Sequence, residues 1–211
     1  MSEPLKLAVP QGALFGDTLD ALDRAGIDTA ALRSDSRSLL FPGEEVTLVT
    51  LRPSDVPTYV EAGAVDLGVT GKDVLMEQQE RVLYELLDLG YGYCRMVVAT
   101  QAGDHFADEL ERRLGAIRIA TKYPRVAARY FDHSGRQAEV IEVKGSVELA
   151  PLAGLADGIV DLTATGRTLR ENDLEIREVI AECTARLVAN RVAHKLRQRE
   201  IDGLMERIGG G

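Results

Sequence analysis

Short apolar runs alternate with amphipathic stretches along most of the chain. Leu5–Val9, Val46–Leu51, Val65–Thr70, Arg95–Thr100, Arg118–Thr121, Val140–Val143 and Ile159–Leu162 have the length and branched-residue content of strands. Between them the apolar positions recur at helical spacing. That spacing predicts helices over Thr18–Ala25, stopped by Gly26, over Val56–Ala62 after Ser54-Asp55, and over Val74–Arg81, His105–Leu114 and Pro124–Asp132. Proline opens the last of these, at the position where a missing N–H is tolerated. Glu175–Ile180 and Thr184–Ala189 predict two further strands. Asn190–Ile208 reads as one charged helix with Val192, Leu196, Ile201, Leu204, Met205 and Ile208 as its apolar positions, and Gly209-Gly210-Gly211 should fray. Strands alternating with helices imply an α/β fold with largely parallel sheets.

Two segments repeat. Residues 63–72 read Gly-Ala-Val-Asp-Leu-Gly-Val-Thr-Gly-Lys, and residues 158–167 read Gly-Ile-Val-Asp-Leu-Thr-Ala-Thr-Gly-Arg. Each is an apolar run that stops at Thr-Gly and a cation, the pattern of a strand entering a tight turn and then a helix. Glycine lets backbone N–H groups approach an anion, and a helix start adds favourable partial charge. The repeat therefore suggests two similar lobes, each presenting an anion-binding loop. Gly145-Ser146 is a further helix start, with Ser146 as its cap, and Thr168 can cap the helix after the second repeat. No Gly/Ser or Pro linker separates the lobes, and a short ordered crossing would create a cleft suited to a ligand.

Composition narrows the classes. The chain has 211 residues and a net charge of −9, which argues against general nucleic-acid binding but leaves room for a local basic pocket. No run approaches the ~20 apolar residues of a membrane span. Met1–Lys6 lacks the regions of a signal peptide, so the expected location is cytoplasmic, with no membrane contact. Cys94 and Cys183 lie far apart in sequence without metal-ligand spacing, and read as two reduced, mostly buried thiols. His105, His133 and His194 read as surface histidines. Neither a GxxxxGK[ST] loop nor a GxGxxG fingerprint is present.

Candidate chemistry gathers at predicted strand ends, where α/β folds bind ligands. Pro10-Gln11-Gly12 ends the first strand, Leu51-Arg52-Pro53 the second, and Lys122-Tyr123-Pro124 a later one. Glu142–Glu148 follows another strand, and Asp35-Ser36-Arg37 supplies a further cation. In Asp161–Leu169 the hydroxyls of Thr163, Thr165 and Thr168 surround Gly166, a set that can hold a phosphate without burying net charge.

In order along the chain, Leu51–Pro57, Asp66–Asp73, Ile119–Tyr123, Gly145–Pro151 with Asp157, and Asp161–Leu169 resemble the ATP phosphoribosyltransferase family, the first enzyme of histidine biosynthesis. The resemblance runs from Leu5 to about Ala189. It implies a two-lobed fold like type II periplasmic binding proteins, with the active site in the inter-lobe cleft. The first lobe would be 1–92 plus 173–211, the second 93–172. The implied reaction condenses ATP with 5-phosphoribosyl 1-pyrophosphate (PRPP), with Mg²⁺ present, to give N1-(5-phosphoribosyl)-ATP and pyrophosphate. By the same resemblance, Arg37, Arg52 and Lys72 are catalytic cations. Glu148, Asp161, Thr163, Ala164, Thr165, Gly166, Arg167 and Thr168 bind PRPP, and Gln11, Gly12, Gly71, Asp73 and Tyr123 bind ATP.

The chain ends soon after its second lobe, which resembles the short form of the family. That form implies a homodimer assembling with a histidyl-tRNA-synthetase-like regulatory subunit. One departure stands out. Gln11-Gly12-Ala13 replaces the family's Lys-Gly-Arg or Lys-Gly-small run, so Arg37, Arg52 and Lys72 would carry more of the charge. Two rival readings are a two-lobed small-molecule binding or sensing subunit without catalysis, and an impaired paralogue kept as a structural subunit. Pyrophosphate release separates either from an enzyme.

Overall fold

A computed structural model describes residues 3–34, 38–103 and 116–210. Arg37 and the helix expected over His105–Leu114 lie outside the described residues. The chain divides into two compact units, Met1–Gly92 with Thr184–Gly211, and Tyr93–Cys183.

The first unit holds a six-stranded sheet. Its strands are β1 (Leu5–Pro10), β2 (Leu40–Phe41), β3 (Val46–Leu51), β4 (Leu67–Gly71), β5 (Leu83–Asp88) and β11 (Ala185–Asn190), ordered β2-β3-β1-β4-β11-β5. β1 is almost wholly buried and lies parallel to both β3 and β4, as expected of a strand covered on both faces. β3 alternates buried and half-buried positions, so only one of its faces enters the core. Helix α1 (Phe15–Arg24) buries Leu19 and Leu22. Removing each side chain from water is worth about 2 kcal/mol. Gly26 follows α1 at φ +80°, and its N–H bonds the Asp23 carbonyl, which ends the helix where the sequence placed the stop. The short helices α2 (Ala30–Ser34), α3 (Val56–Glu61) and α4 (Lys72–Glu77) complete this part of the unit. α3 packs on β4 at Gly68, where a Cβ would lie 2.5 Å from Val56 Cγ1.

The second unit holds a five-stranded sheet, β6 (Cys94–Gln101), β7 (Ile117–Thr121), β8 (Ala138–Glu142), β9 (Gly158–Thr163) and β10 (Leu174–Cys183), ordered β10-β6-β9-β7-β8. Helices α5 (Pro124–His133), α6 (Leu149–Leu152) and α7 (Arg167–Glu171) connect them. The core here is Val97, Ala99, Ala120, Val147, Ile159, Leu169 and Leu174 with their neighbours.

Several expectations change. Both sheets are mixed, because β11, β5, β6 and β10 pair antiparallel with their neighbours. Antiparallel pairs need no helical crossover, so the helix–strand alternation of the sequence did not register them. Leu174–Cys183 pairs with β6 along its length, so the chain returns to the first unit after Cys183 rather than after Asn172. The C-terminal segment forms two helices, α8 (Arg191–Leu196) and α9 (Gln198–Gly209), broken at Arg197. Arg197 leaves helical geometry at φ −122° and sends Nη2 to the Glu3 carbonyl at 2.7 Å. The break separates the apolar positions: Ile201 and Leu204 are fully buried, whereas Val192 and Leu196 are exposed. Edge strand β5 was not anticipated, since Leu-Tyr-Glu-Leu-Leu-Asp lacks the apolar–polar alternation of a core strand and none of its residues is buried.

Candidate active site

The topology of the first unit collects its candidate residues at one sheet edge. β1 lies between β3 and β4, all three parallel, so their carboxyl ends point the same way. Gln11 follows β1, Arg52 follows β3, and Gly71-Lys72-Asp73 spans the junction of β4 with α4. The Gln11 N–H bonds the Leu51 carbonyl at 2.8 Å, which ties the first two ends together. Gly12 sits at φ +81° and opens a single 3-10 turn. Arg52 is exposed. Lys72 has its charge matched already: Nζ donates to both Glu85 oxygens, at 2.7 and 3.0 Å.

In the second unit β8, β7 and β9 are parallel neighbours, and their carboxyl ends also share an edge. Tyr123 follows β7, Glu148 precedes α6, and the 161–168 segment runs from β9 into α7. Thr121 locks this edge. Its hydroxyl donates to the Val160 carbonyl at 2.6 Å and accepts from the Tyr123 N–H at 2.8 Å. Asp161 is 8% exposed. Burial pushes its carboxyl above the usual aspartate range. The Leu162 N–H at 2.8 Å and the Lys122 charge oppose that rise, and Glu148 adds to it. The Lys122 and Glu148 charges therefore both act on Asp161, with opposite sign.

The turn after β9 is built from threonines. Thr163 Oγ1 accepts the Gly166 N–H at 2.8 Å, and Thr165 Oγ1 accepts the Arg167 N–H at 3.3 Å. Each hydroxyl keeps its own proton for another acceptor. Gly166 stands at φ +72°, a left-handed conformation that glycine adopts without strain. Gly166, not Thr168, is the N-cap of α7; Thr168 lies inside the helix. Ser146 likewise gives α6 no side-chain cap, the N-cap position being Glu148. Ala164, Thr165, Arg167 and Thr168 are exposed. Arg167 reaches Glu171 at 2.7 Å in an open ion pair.

The two sequence repeats are not structurally equivalent. In the second copy the strand begins at Gly158 and contains Asp161, whereas in the first it begins only at Leu67, after Asp66. Asp66 is held before the strand by the Lys6 N–H at 2.8 Å, and Thr70 donates to the Pro53 carbonyl at 2.9 Å. Gly71 has φ −77°, and β4 passes straight into α4 without a left-handed turn. The repeat suggested an anion-binding loop for each copy, and of the two it is the second that forms a left-handed, threonine-held turn.

Two cations escaped the sequence reading of the site. Lys122 was noted as a strand end and within the Ile119–Tyr123 run but given no role, yet its charge acts on Asp161. Arg170 was not singled out, and its Nη1 lies 3.2 Å from where a Cβ on Gly166 would stand. Its position one turn after Gly166 was the available signal. His133 is exposed as expected, while His194 is half-buried and meets the Tyr84 ring edge-on. Cys94 is half-buried and Cys183 buried.

The family model described as HisG, ATP phosphoribosyltransferase, matches residues 52–210. The chain belongs to the ATP phosphoribosyltransferase family. An ATP phosphoribosyltransferase of Rubrobacter xylanophilus is 54% identical over 208 residues, covering 97% of this chain and 95% of that protein. A solved ATP phosphoribosyl transferase (HisG:HisZ) complex from Thermotoga maritima is 38% identical, with a TM-score of 0.82 over 97% of this chain and 95% of that one. The periplasmic VFT2 domain of Bordetella pertussis BvgS has a TM-score of 0.57 at 15% identity, over 97% of this chain and 86% of its own. That likeness speaks to the two-lobed α/β fold alone. Membership makes this chain an enzyme, a transferase acting on ATP and PRPP at the first step of histidine biosynthesis. A binding or sensing subunit without catalysis is not favoured.

Proposed function

We propose that the Thr163–Arg167 turn receives the 5′-phosphate of PRPP, with Ala164 and Thr168 beside it, while Asp161 and Glu148 address the ribose hydroxyls. The observation that carries this reading is the hydroxyl-lined turn next to a buried carboxylate. Thr163 and Thr165 hold the turn by accepting from Gly166 and Arg167, and their hydroxyl protons remain to donate to phosphate oxygens. Asp161 is buried, and among the described residues the Leu162 N–H and the Lys122 charge favour its ionised form. Such a carboxylate gains from any hydroxyl donor or cation that arrives.

Gln11, Gly12, Gly71 and Asp73, and Tyr123 in the second unit, are the proposed ATP-facing residues. N1 of adenine attacks C1 of the ribose as pyrophosphate departs. That nitrogen carries its own lone pair, so no strong general base is required, and catalysis is positioning together with neutralisation of the departing charge. Arg52, exposed just past the carboxyl end of β3, is the proposed cation for this task. Arg37, outside the described residues, is proposed for the same task. Lys72 can join only by exchanging Glu85 for a phosphate oxygen.

Among the described residues no group of three or more His, Cys, Asp or Glu side chains is arranged to hold a metal ion. Asp161 and Glu148 supply carboxylate oxygens, the donor type that suits a hard cation still carrying water and substrate oxygens. They are the residues that would hold Mg²⁺, which when bound neutralises charge on the pyrophosphate group. We further propose that the chain is cytoplasmic and works as a homodimer with a histidyl-tRNA-synthetase-like regulatory subunit. The Thermotoga maritima HisG:HisZ complex supports the assembly. No helix among the described residues is long and apolar enough to cross a membrane. Calorimetric titration of Mg²⁺–PRPP into the wild type and Gly166→Val tests the loop. Binding should vanish in the variant while its circular dichroism stays native, and unchanged affinity would remove the loop from the site.

A further inference from the structure

We infer that Cys94 and Cys183 form a redox-responsive dithiol, whose oxidation to a cross-strand disulfide slows the transferase reaction. Cys94 opens β6 and Cys183 closes β10, and the two are directly opposite in the antiparallel ladder. Directly opposed residues in such a ladder have Cα atoms about 4.5 or 5.5 Å apart, depending on the pair type. Both values fall inside the ~4.4–6.8 Å range of disulfides. Their side chains also leave the same face of the sheet. The next positions, Glu182 opposite Arg95 and Ala181 opposite Met96, keep the register. Tyr93 Oη donates to Glu182 Oε1 at 3.0 Å and fixes the end of the ladder. Bridging the sulfurs therefore requires no shift of backbone register.

Exposure divides the chemistry. Cys94 is half-buried, within reach of a small oxidant, whereas Cys183 is 1% exposed. With a low-molecular-weight disulfide as oxidant, the Cys94 thiolate attacks one sulfur and releases one thiol, leaving a mixed disulfide. The Cys183 thiolate then attacks Cys94 Sγ and expels the second thiol. Two protein thiols and one disulfide become one protein disulfide and two small thiols. In a reducing compartment such a pair rests as the dithiol and responds to oxidation.

Position gives the bond a consequence. The chain enters the second unit at Tyr93 and leaves it after Cys183, so the two cysteines stand at its two crossings. Conformational changes between compact units are absorbed by a few element-terminal residues. A bond between positions 94 and 183 ties those residues together and withdraws that freedom.

The test treats the full-length protein with oxidised glutathione. Intact mass should fall by two hydrogen atoms, peptide mapping should join Cys94 to Cys183 within one chain, and phosphoribosyl-ATP formation should lose most of its rate. Dithiothreitol should restore both. Cys94→Ser should keep its rate through the same treatment. It is the main control, because Cys183→Ser disturbs a buried position. A persistent glutathione adduct on Cys94, a crosslink between chains, or an intrachain bond that leaves the rate unchanged would each overturn the proposal. The bond is read by mass and does not depend on the assigned reaction. Absence of turnover before oxidation would count against that assignment instead.

Discussion

Replacing Gly166 by alanine should damage the protein in a way that the same change at Gly71 does not, although the two glycines occupy equivalent places in the sequence repeat. Gly166 stands at φ +72° and Gly71 at φ −77°. Holding an L-residue in the left-handed region costs about 1–2 kcal/mol. A Cβ at Gly166 would also lie 3.2 Å from Arg170 Nη1, the mobile end of a long side chain that can move aside. The backbone therefore dominates. For a chain of this size, a loss of about 1–2 kcal/mol lowers the melting temperature by roughly 2–8 °C. At Gly71 the Cβ would meet Asp73 Oδ1 at 2.1 Å, so Asp73 must swing away, but no left-handed cost arises. Scanning calorimetry of Gly166→Ala, Gly166→Asn and Gly71→Ala gives the comparison. Asparagine visits the left-handed region more readily and should lose less than alanine. The reasoning fails if Gly166→Ala melts with the wild type, or if asparagine is the worse of the two substitutions at 166.

Asp161→Asn should abolish turnover without lowering stability. Burial raises the Asp161 carboxyl above its ordinary range, so the folded state binds more protons than the unfolded one between the two values, and stability falls as pH rises through that window. Asparagine keeps the oxygen that accepts the Leu162 N–H and should remove this loss, so a variant that melts below the wild type at neutral pH contradicts the electrostatic account. Glu85→Gln should tighten inhibition by pyrophosphate, because the carboxylate that holds Lys72 is gone; unchanged inhibition would mean that Lys72 does not face phosphate. Arg37→Ala should lower turnover more than affinity, by about 2–4 kcal/mol in the barrier. A rise in KM alone would make Arg37 a ground-state binder. Histidine should bind the complex with the regulatory subunit and not the isolated chain, since feedback requires a second site coupled to the first. Saturable calorimetric binding to the chain alone would defeat the short-form reading.

Much of the fold was legible because its core strands are short apolar runs. β1, β3, β7 and β9 carry buried branched residues that periodicity detects. The antiparallel strands were harder. β10 reads Leu-Glu-Ile-Arg-Glu-Val-Ile-Ala-Glu-Cys with two register shifts, so its alternation breaks twice, and the partner it would choose left no trace in the local pattern. The break at Arg197 was invisible for a similar reason, since the Glu3 carbonyl that its guanidinium meets is far away in sequence. At the site, residue types announced the threonine turn. The repeat misled by letter: Asp66 and Asp161 match in sequence, yet one precedes its strand and the other lies inside its own. Lys122 and Arg170 were missed because any single surface cation looks like another until its neighbours are known.

The most direct measurement is phosphoribosyl-ATP formation with parallel detection of pyrophosphate, using purified chain, ATP, PRPP and Mg²⁺, with and without the histidyl-tRNA-synthetase-like subunit. The account predicts equimolar release of both products, full activity and histidine inhibition in the presence of that subunit, and loss of both products in Asp161→Asn. Saturable binding of ATP and PRPP with no pyrophosphate released under any of these conditions would contradict it.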